Sequence, residues 1–241
     1  APLMYQWRLN MIDLPSQTLA TLSIPAVTTA DAGSYDVVVT NVCSSATSQA
    51  AIVVVELPRT IIDQPDSQQI CLGLPVTFSV TVTGSNPLGY QWSKNDVEIA
   101  GATASSYMIP AVASGDAGDY SVVVSNNCGS ATSTDATLTV LLPPTITVQP
   151  VGGSICLGLP FTLTVTATGA APLTYQWSRN NVPIAGATLS SLNLSPIALA
   201  DAGSYTVVVT NPCGNVTSAP AVVTVLTPPT KPLGSFRGFS A

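Results

Sequence analysis

Asp201-Ala202-Gly203-Ser204-Tyr205-Thr206-Val207-Val208-Val209-Thr210-Asn211 opens on a turn and then alternates, setting Tyr205, Val207 and Val209 two residues apart. Side chains two apart on an extended chain share a face, so this reads as a strand with one buried face, entered through the Asp-Ala-Gly turn. The phrase recurs from Asp31 and from Asp116, a constant spacing of 85 residues. Trp7, Trp92 and Trp177 keep that register, as do Tyr35, Tyr120 and Tyr205, and then Cys43, Cys128 and Cys213. A fixed period without insertions means one unit copied head to tail, an organisation suited to reach or display. A structural or adhesive role therefore fits better than catalysis.

The rest of the period is built alike. Val76-Thr77-Phe78-Ser79-Val80-Thr81-Val82 and Thr162-Leu163-Thr164-Val165 alternate apolar residues with Thr or Ser. Gly84-Ser85-Asn86-Pro87, Asn95-Asp96, Ala100-Gly101 and Cys128-Gly129 break the chain at short intervals. No stretch carries a helical period, and many short strands at this spacing predict an all-β fold of sandwiches. Pro58, Pro143 and Pro228 mark the repeat boundaries. The domains are thus 1–57, 58–142 and 143–227, with a tail or the start of a next repeat over 228–241. Residues 1–57 match 86–142, so the first domain lacks 28 opening positions, where two strands are expected.

Composition excludes several classes. The chain has 241 residues, enough for two or three domains, with 7% charged residues, a net charge of −6 and no histidine. The acidic balance argues against nucleic acid or an anionic membrane as partner. Absence of histidine removes His-based acid–base catalysis, Ser–His triads and His-ligated metal. Mean hydropathy is high at +0.43, but the longest apolar run, Ala50 to Val55, is far short of the ~18–20 residues of a spanning helix. No signal peptide is recognisable, so the sequence reads as a mature or partial chain. Carboxylates are scattered, no pair invites acid–base work, and Gly152-Gly153-Ser154 reads as a turn rather than a phosphate loop. No enzyme activity, cofactor or metal site is expected.

Tyr-Gln-Trp, the DAGxYxVxVxN phrase and the closing TxTV strand together resemble immunoglobulin-like domains, and most of all the tandem repeats of large bacterial secreted and surface proteins. The resemblance covers about 1–227 and implies immunoglobulin-like β-sandwiches arranged as a rod. It places Trp92 and Trp177, with Trp7, on strand C in the core, and Tyr120 and Tyr205, with Tyr35, at the corner entering strand F. Asp116 and Asp201 would cap that corner. A metal-ligand role for them is disfavoured, since no second carboxylate stands at EF-hand-like spacing.

The cysteines depart from the family pattern. Where an antibody-type core bridge would need Cys, the chain has Val37, Val122 and Val207 facing Val80 and Val165. Cys71 and Cys156 lie just before strand B, and Cys128 and Cys213 in the F–G turn. On the family's topology, pairing within a domain (Cys71–Cys128, Cys156–Cys213) would separate the partners well beyond the ~7 Å Cα limit of a disulfide. The F–G turn faces the preceding domain, which favours a Cys71–Cys213 staple, with Cys43, Cys128 and Cys156 pairing to neighbouring repeats. Free buried thiols are the third possibility. Either bridged reading implies an oxidising, extracellular compartment.

Among binding features, the aromatics sit almost wholly at core positions, which leaves little for a sugar platform. Asn193-Leu194-Ser195 and Asn215-Val216-Thr217 match the N-glycosylation sequon, with Asn215 the better placed because Asn193 falls in a strand. Lys and Glu, the usual guards of sheet edges, are few. Without its front, the first domain should expose Trp7 and the apolar faces of Asp36–Thr40 and Ala51–Val55, each core side chain being worth ~1.5–3 kcal/mol on burial. Its complement would come from upstream in a longer chain or from another subunit, for example by strand addition from the tail. The reading is a structural extracellular repeat protein, the shaft of a bacterial surface filament or large adhesin. It self-associates into fibres or continues a longer array, without nucleic acid and without spanning a membrane. The alternatives are a module binding a host or surface glycan or protein, since Lys94, Asp96 and Glu98 are replaced by Arg179, Asn181 and Pro183, and a spacer of a secreted multidomain enzyme.

Overall fold

The computed structural model describes residues 2–229. The strand addition expected of the tail therefore falls, beyond Pro229, outside the described residues. The N-terminal repeat has strands β1 (Met4–Leu9), β2 (Ile12–Asp13), β3 (Gly33–Thr40), β4 (Ser45–Thr47) and β5 (Ala51–Val53). The second has β6 (Thr60–Asp63), β7 (Gln68–Cys71), β8 (Val76–Ser79), β9 (Thr81–Thr83), β10 (Gly89–Lys94), β11 (Val97–Glu98), β12 (Ser106–Ile109), β13 (Gly118–Asn126), β14 (Gly129–Thr132) and β15 (Ala136–Leu141). The third has β16 (Thr145–Val148), β17 (Gly153–Cys156), β18 (Phe161–Thr164), β19 (Thr166–Thr168), β20 (Thr174–Arg179), β21 (Val182–Pro183), β22 (Ser191–Leu194), β23 (Gly203–Asn211), β24 (Gly214–Thr217) and β25 (Ala221–Leu226). Every strand of the third repeat lies 85 residues beyond its counterpart in the second. The only helical elements among the described residues are 3-10 turns at Thr29–Asp31, Ser114–Asp116 and Leu199–Asp201.

The chain divides into two compact units. One runs up to Asp66 and adds Phe78–Tyr107 and Tyr120–Ala136; the other holds Ser67–Thr77, Met108–Asp119 and everything from Thr137 onward. The second unit contains the whole third repeat, an immunoglobulin-like β-sandwich. Its larger sheet has the order β17-β25-β23-β20-β21, with β24 also on β23, and β17 runs parallel to β25. The opposite layer is made of β18 paired with β22 and β16 paired with β19. Trp177, Tyr205, Val207, Ala221 and Val223 from the larger sheet pack with Leu163, Val165, Leu192 and Ile197 in one core. Alternation along β23 buries Tyr205, Val207 and Val209 and leaves Ser204, Thr206 and Val208 partly exposed, as the period of two requires. Fully burying each large side chain is worth roughly 1.5–3 kcal/mol.

In place of two opening strands, 143–170 holds four short ones. The run Phe161–Thr168 changes partner at Val165, whose N–H leaves the sheet and donates to the Ser190 carbonyl at 2.9 Å. Upstream, Pro150 has no N–H to continue a ladder. The chain crosses from β19 to β25 over Gln149–Gly152, where Ala219 N–H donates to Gln149 Oε1 at 2.9 Å. Gly152 is required there, because a Cβ would stand 2.0 Å from the Val222 carbonyl oxygen. Gly153, read from sequence as part of a turn, already begins β17.

The first unit contains the N-terminal repeat, a single sheet of order β2-β1-β3-β4 with β5 also on β3. It includes the second repeat's β6–β9 pair and its β11-β10-β13-β14 segment. Phe78 stacks on Tyr120 there, ring centroids 4.7 Å apart. Trp92 and Val122 are fully buried and Val80 nearly so.

Candidate functional site

Each repeat places its recurrent residues by the same local chemistry. The two-residue turns at Asn10-Met11, Asn95-Asp96 and Asn180-Asn181 have both residues at positive φ, the twist a tight hairpin needs, and one that Asn and Asp tolerate. The hairpin is clamped by the Gln of Tyr-Gln-Trp. Gln176 Nε2 donates to the carbonyls of Trp177 and Ile184, both at 2.9 Å, and Gln91 and Gln6 do the same in their repeats. The indole N–H of Trp177 donates to Leu189 O at 2.9 Å, that of Trp92 to Ala104 O at 2.9 Å and that of Trp7 to Leu19 O at 3.0 Å.

The corner is closed by its Asp and Tyr. Tyr205 Oη donates to Asp201 O at 2.7 Å and Tyr35 Oη to Asp31 O at 2.8 Å. The carboxylates of Asp31, Asp116 and Asp201 accept the N–H three residues upstream, from Thr28, Ala113 and Ala198 at 2.7, 2.7 and 2.8 Å. The N–H and hydroxyl of Thr28 hold the Asp31 carboxyl below its ordinary range. Burial pushes the Tyr205 phenol up against a smaller opposing pull from Arg179. Among the described residues no group of three His, Cys, Asp or Glu could hold a metal ion.

Two arrangements stand out as candidate sites. The first is the junction between repeats. Cys71, at the end of β7, is disulfide-bonded to Cys213, in the turn after β23, with Cα atoms 5.5 Å apart. Cys71 lies opposite Leu141 in the parallel β7–β15 pair, and Cys213 Sγ stands 3.6 Å from Leu141 O. The turn is fixed by Asn211, which donates to Leu142 O at 2.8 Å and Ala170 O at 3.0 Å while its Oδ1 accepts the Cys213 N–H at 2.9 Å. The first unit repeats the device. Asn126 donates to Leu57 O at 2.9 Å and Ser85 O at 3.1 Å and accepts the Cys128 N–H at 3.0 Å. Asn127 adds a bond to Glu56 at 2.8 Å, and the Arg59 guanidinium donates to Ser130 O. Cys43, Cys128 and Cys156 carry exposed free thiols. The roles of Gln and Asn escaped the sequence reading, although their recurrence at the 85-residue period was a signal for both.

The second arrangement is the open face of the N-terminal repeat. Trp7, Val37 and Val39 are half-buried, whereas Trp177, Val207 and Val209 are wholly enclosed. The face is therefore less bare than expected, because the loop after β2 folds over it. Trp7 N–H donates to Gln17 O at 3.0 Å, and Tyr35 is buried. The last strand's inward positions are opened too: Ala51 is exposed and Val53 half-buried, whereas their counterparts Ala221 and Val223 are buried. Two edges are unpaired. Residues 21–24, counterparts of β22, form no strand. β5 ends at Val53, whereas β25 continues to Leu226, and its last residues are the ones that pair with β17. Strand structure stops where the partner is missing.

Arg8 and Asp36, opposite each other on β1 and β3, form a bidentate pair at 2.7 and 2.8 Å that the other repeats replace with Ser and Thr. The Arg8 guanidinium holds the Asp36 carboxyl below its ordinary range. Arg179, Pro183, Leu194, Asp201 and Tyr205 line a cleft of about 410 Å³ on the third repeat, and Arg179 is already engaged with Ala200 O and Asp201. Asn215 is exposed on β24, and Asn193 is exposed on β22. Among the described residues no helix is long and apolar enough to cross a membrane.

Residues 59–140 match the immunoglobulin I-set domain and residues 143–211 the immunoglobulin domain. The chain is a tandem array of immunoglobulin-like domains. Similar proteins include Hemicentin-1 of Mus musculus, 29% identical over 76% of this chain and 4% of that protein. Roundabout homolog 1 of Homo sapiens is 28% identical over 88% of this chain and 15% of its own length. The basement membrane-specific heparan sulfate proteoglycan core protein of Mus musculus is 31% identical over 81% and 6% respectively. The chain thus spans a small part of these relatives. They are animal proteins, and the bacterial setting that the resemblance implied finds no support among them. The titin I-band fragment I67–I69 shares the fold, with a TM-score of 0.72 at 21% identity over 94% of this chain and 89% of that one.

Proposed function

We propose that the chain is a non-enzymatic structural or adhesive segment of an extracellular immunoglobulin-like array, the shaft of a surface filament or large adhesin, in which consecutive repeats are stapled covalently. The observation that carries this reading is the Cys71–Cys213 disulfide, which joins one repeat to the next across 142 residues of sequence. A bond in that position lets tension bypass most of both repeats, a property useful to a tether. Structural disulfides of this kind persist in oxidising compartments. Relatives such as Hemicentin-1 and a basement membrane core protein are in keeping with such a setting.

Single-molecule stretching between the chain ends tests it. With the bond intact, the stretch between the cysteines, which are 142 positions apart, is shielded from force. Reduction should release roughly 500 Å of additional contour length, at about 3.5 Å per residue. Equal contour lengths before and after reduction would refute a force-bearing staple.

A further inference from the structure

We infer that the open face of the N-terminal repeat is covered by a segment of the same type as residues 58–85, lying ahead of Met4 as β6–β9 lie ahead of β10, and that a cysteine at its fourteenth position is disulfide-bonded to Cys128. Two independent features converge on this occupant. The face lacks the partners that β18 and β17 supply in the third repeat: residues 21–24 are unpaired, and β5 stops at the first residue that would need the parallel strand. An occupant must therefore bring both a strand for 21–24 and a strand running parallel to 53–56.

The second feature is the thiol. Cys128 is the counterpart of Cys213, and its turn is anchored by Asn126 through the same bonds that Asn211 makes. Cys213 is bonded to Cys71, the fourteenth residue of 58–85, at the end of the parallel strand β7. A strand placed beside 53–56 as β7 lies beside β15 would end next to Glu56, the counterpart of Leu141. Glu56 is already hydrogen-bonded to Asn127, the neighbour of Cys128. Bond formation removes a proton from each thiol and two electrons in all. A low-molecular-weight disulfide such as oxidised glutathione accepts them and leaves as two thiols.

The probe is a synthetic peptide of residues 58–85, incubated with the 241-residue chain in a glutathione redox buffer. Docking raises the local thiol concentration at one site only. The peptide cysteine is therefore expected on Cys128 at least about tenfold over Cys43 and Cys156, with a blue shift of Trp7 emission. The same peptide with Cys71→Ser should give the shift without the cross-link. Equal labelling of the three exposed thiols, or equal capture of a scrambled peptide with its cysteine in place, would overturn the inference. A second arm fuses a copy of 58–85 ahead of residue 1. Free thiols should then fall from the present three to those of Cys43 and Cys156, and a rise would contradict the proposal. The staple between the second and third repeats is measured separately by stretching, so failure here leaves it standing.

Discussion

Replacing Cys71 with Ser should destabilise the third repeat far more than an ordinary surface change, by an amount that follows from where Cys71 sits. Because Cys71 lies opposite Leu141 in the β7–β15 pair, a third repeat that unfolds alone stays tethered at both Leu141 and Cys213. The loop so closed has 72 residues rather than the 142 of the sequence separation. Loop-closure entropy for that length is worth about 4 kcal/mol at 25 °C, a large share of the 5–15 kcal/mol typical of a domain. The midpoint of thermal unfolding should fall by roughly 15–30 °C for a domain of this size. Hydrogen exchange resolved by peptide reads each repeat separately. Peptides from 143–227 should lose protection by about three orders of magnitude, while those from 2–57 keep theirs. Cys213→Ser and the double variant should match the single change, since all three remove one bond. An opening free energy in 143–227 within about 1 kcal/mol of the parent, with the bond shown to be absent, would refute the tether argument.

Other perturbations test the remaining parts. Tyr205→Phe removes the 2.7 Å bond to Asp201 O at the corner and should cost about 1 kcal/mol in the third repeat's denaturant midpoint. Asn211→Ala leaves the Leu142 and Ala170 carbonyls and the Cys213 N–H without their partner. It should cost about 1–3 kcal/mol and speed proteolysis at 141–144. Acid should weaken the N-terminal repeat selectively. Asp36 has a folded pKa below its unfolded value, so its contribution is present above the ordinary carboxylate pKa of about 3.9 and disappears as the pH falls through the folded value. Asp36→Asn should remove part of that acid limb in exchange measured on 2–57, the remainder belonging to Asp31, and an unchanged limb would dismiss the Arg8 pairing as a source.

Legibility in the sequence followed locality. The strand carrying Tyr205, Val207 and Val209 could be read because alternation encodes it within a few residues, whereas the core tryptophans and corner tyrosines were placed by the resemblance to immunoglobulin-like domains. The valine plug was equally legible, since Val165 and Val207 face one another at repeat-matched positions. The division of 143–170 into four strands was not, because a strand's limits depend on what lies opposite. Val165 interrupts one extended run only because β18 and β19 pair with different neighbours. The open face was foreseen, yet not that the loop after β2 half-covers Trp7 through the same backbone bond that the complete repeats make to Trp92 and Trp177, because a loop without alternation does not reveal what it packs on. The clamps made by Gln176 and Asn211 hid in plain repetition, because a polar residue at a fixed period does not reveal which distant carbonyl it meets.

Covalent coupling of consecutive repeats is the central claim, and a disulfide map tests it most directly. The chain would be alkylated at its free thiols, digested without reduction and sequenced by mass spectrometry. The account predicts one linked pair joining the Cys71 peptide to the Cys213 peptide, with alkylated Cys43, Cys128 and Cys156. Recovery of Cys156 linked to Cys213, or of Cys71 linked to Cys128, would place the bonds inside repeats and contradict it.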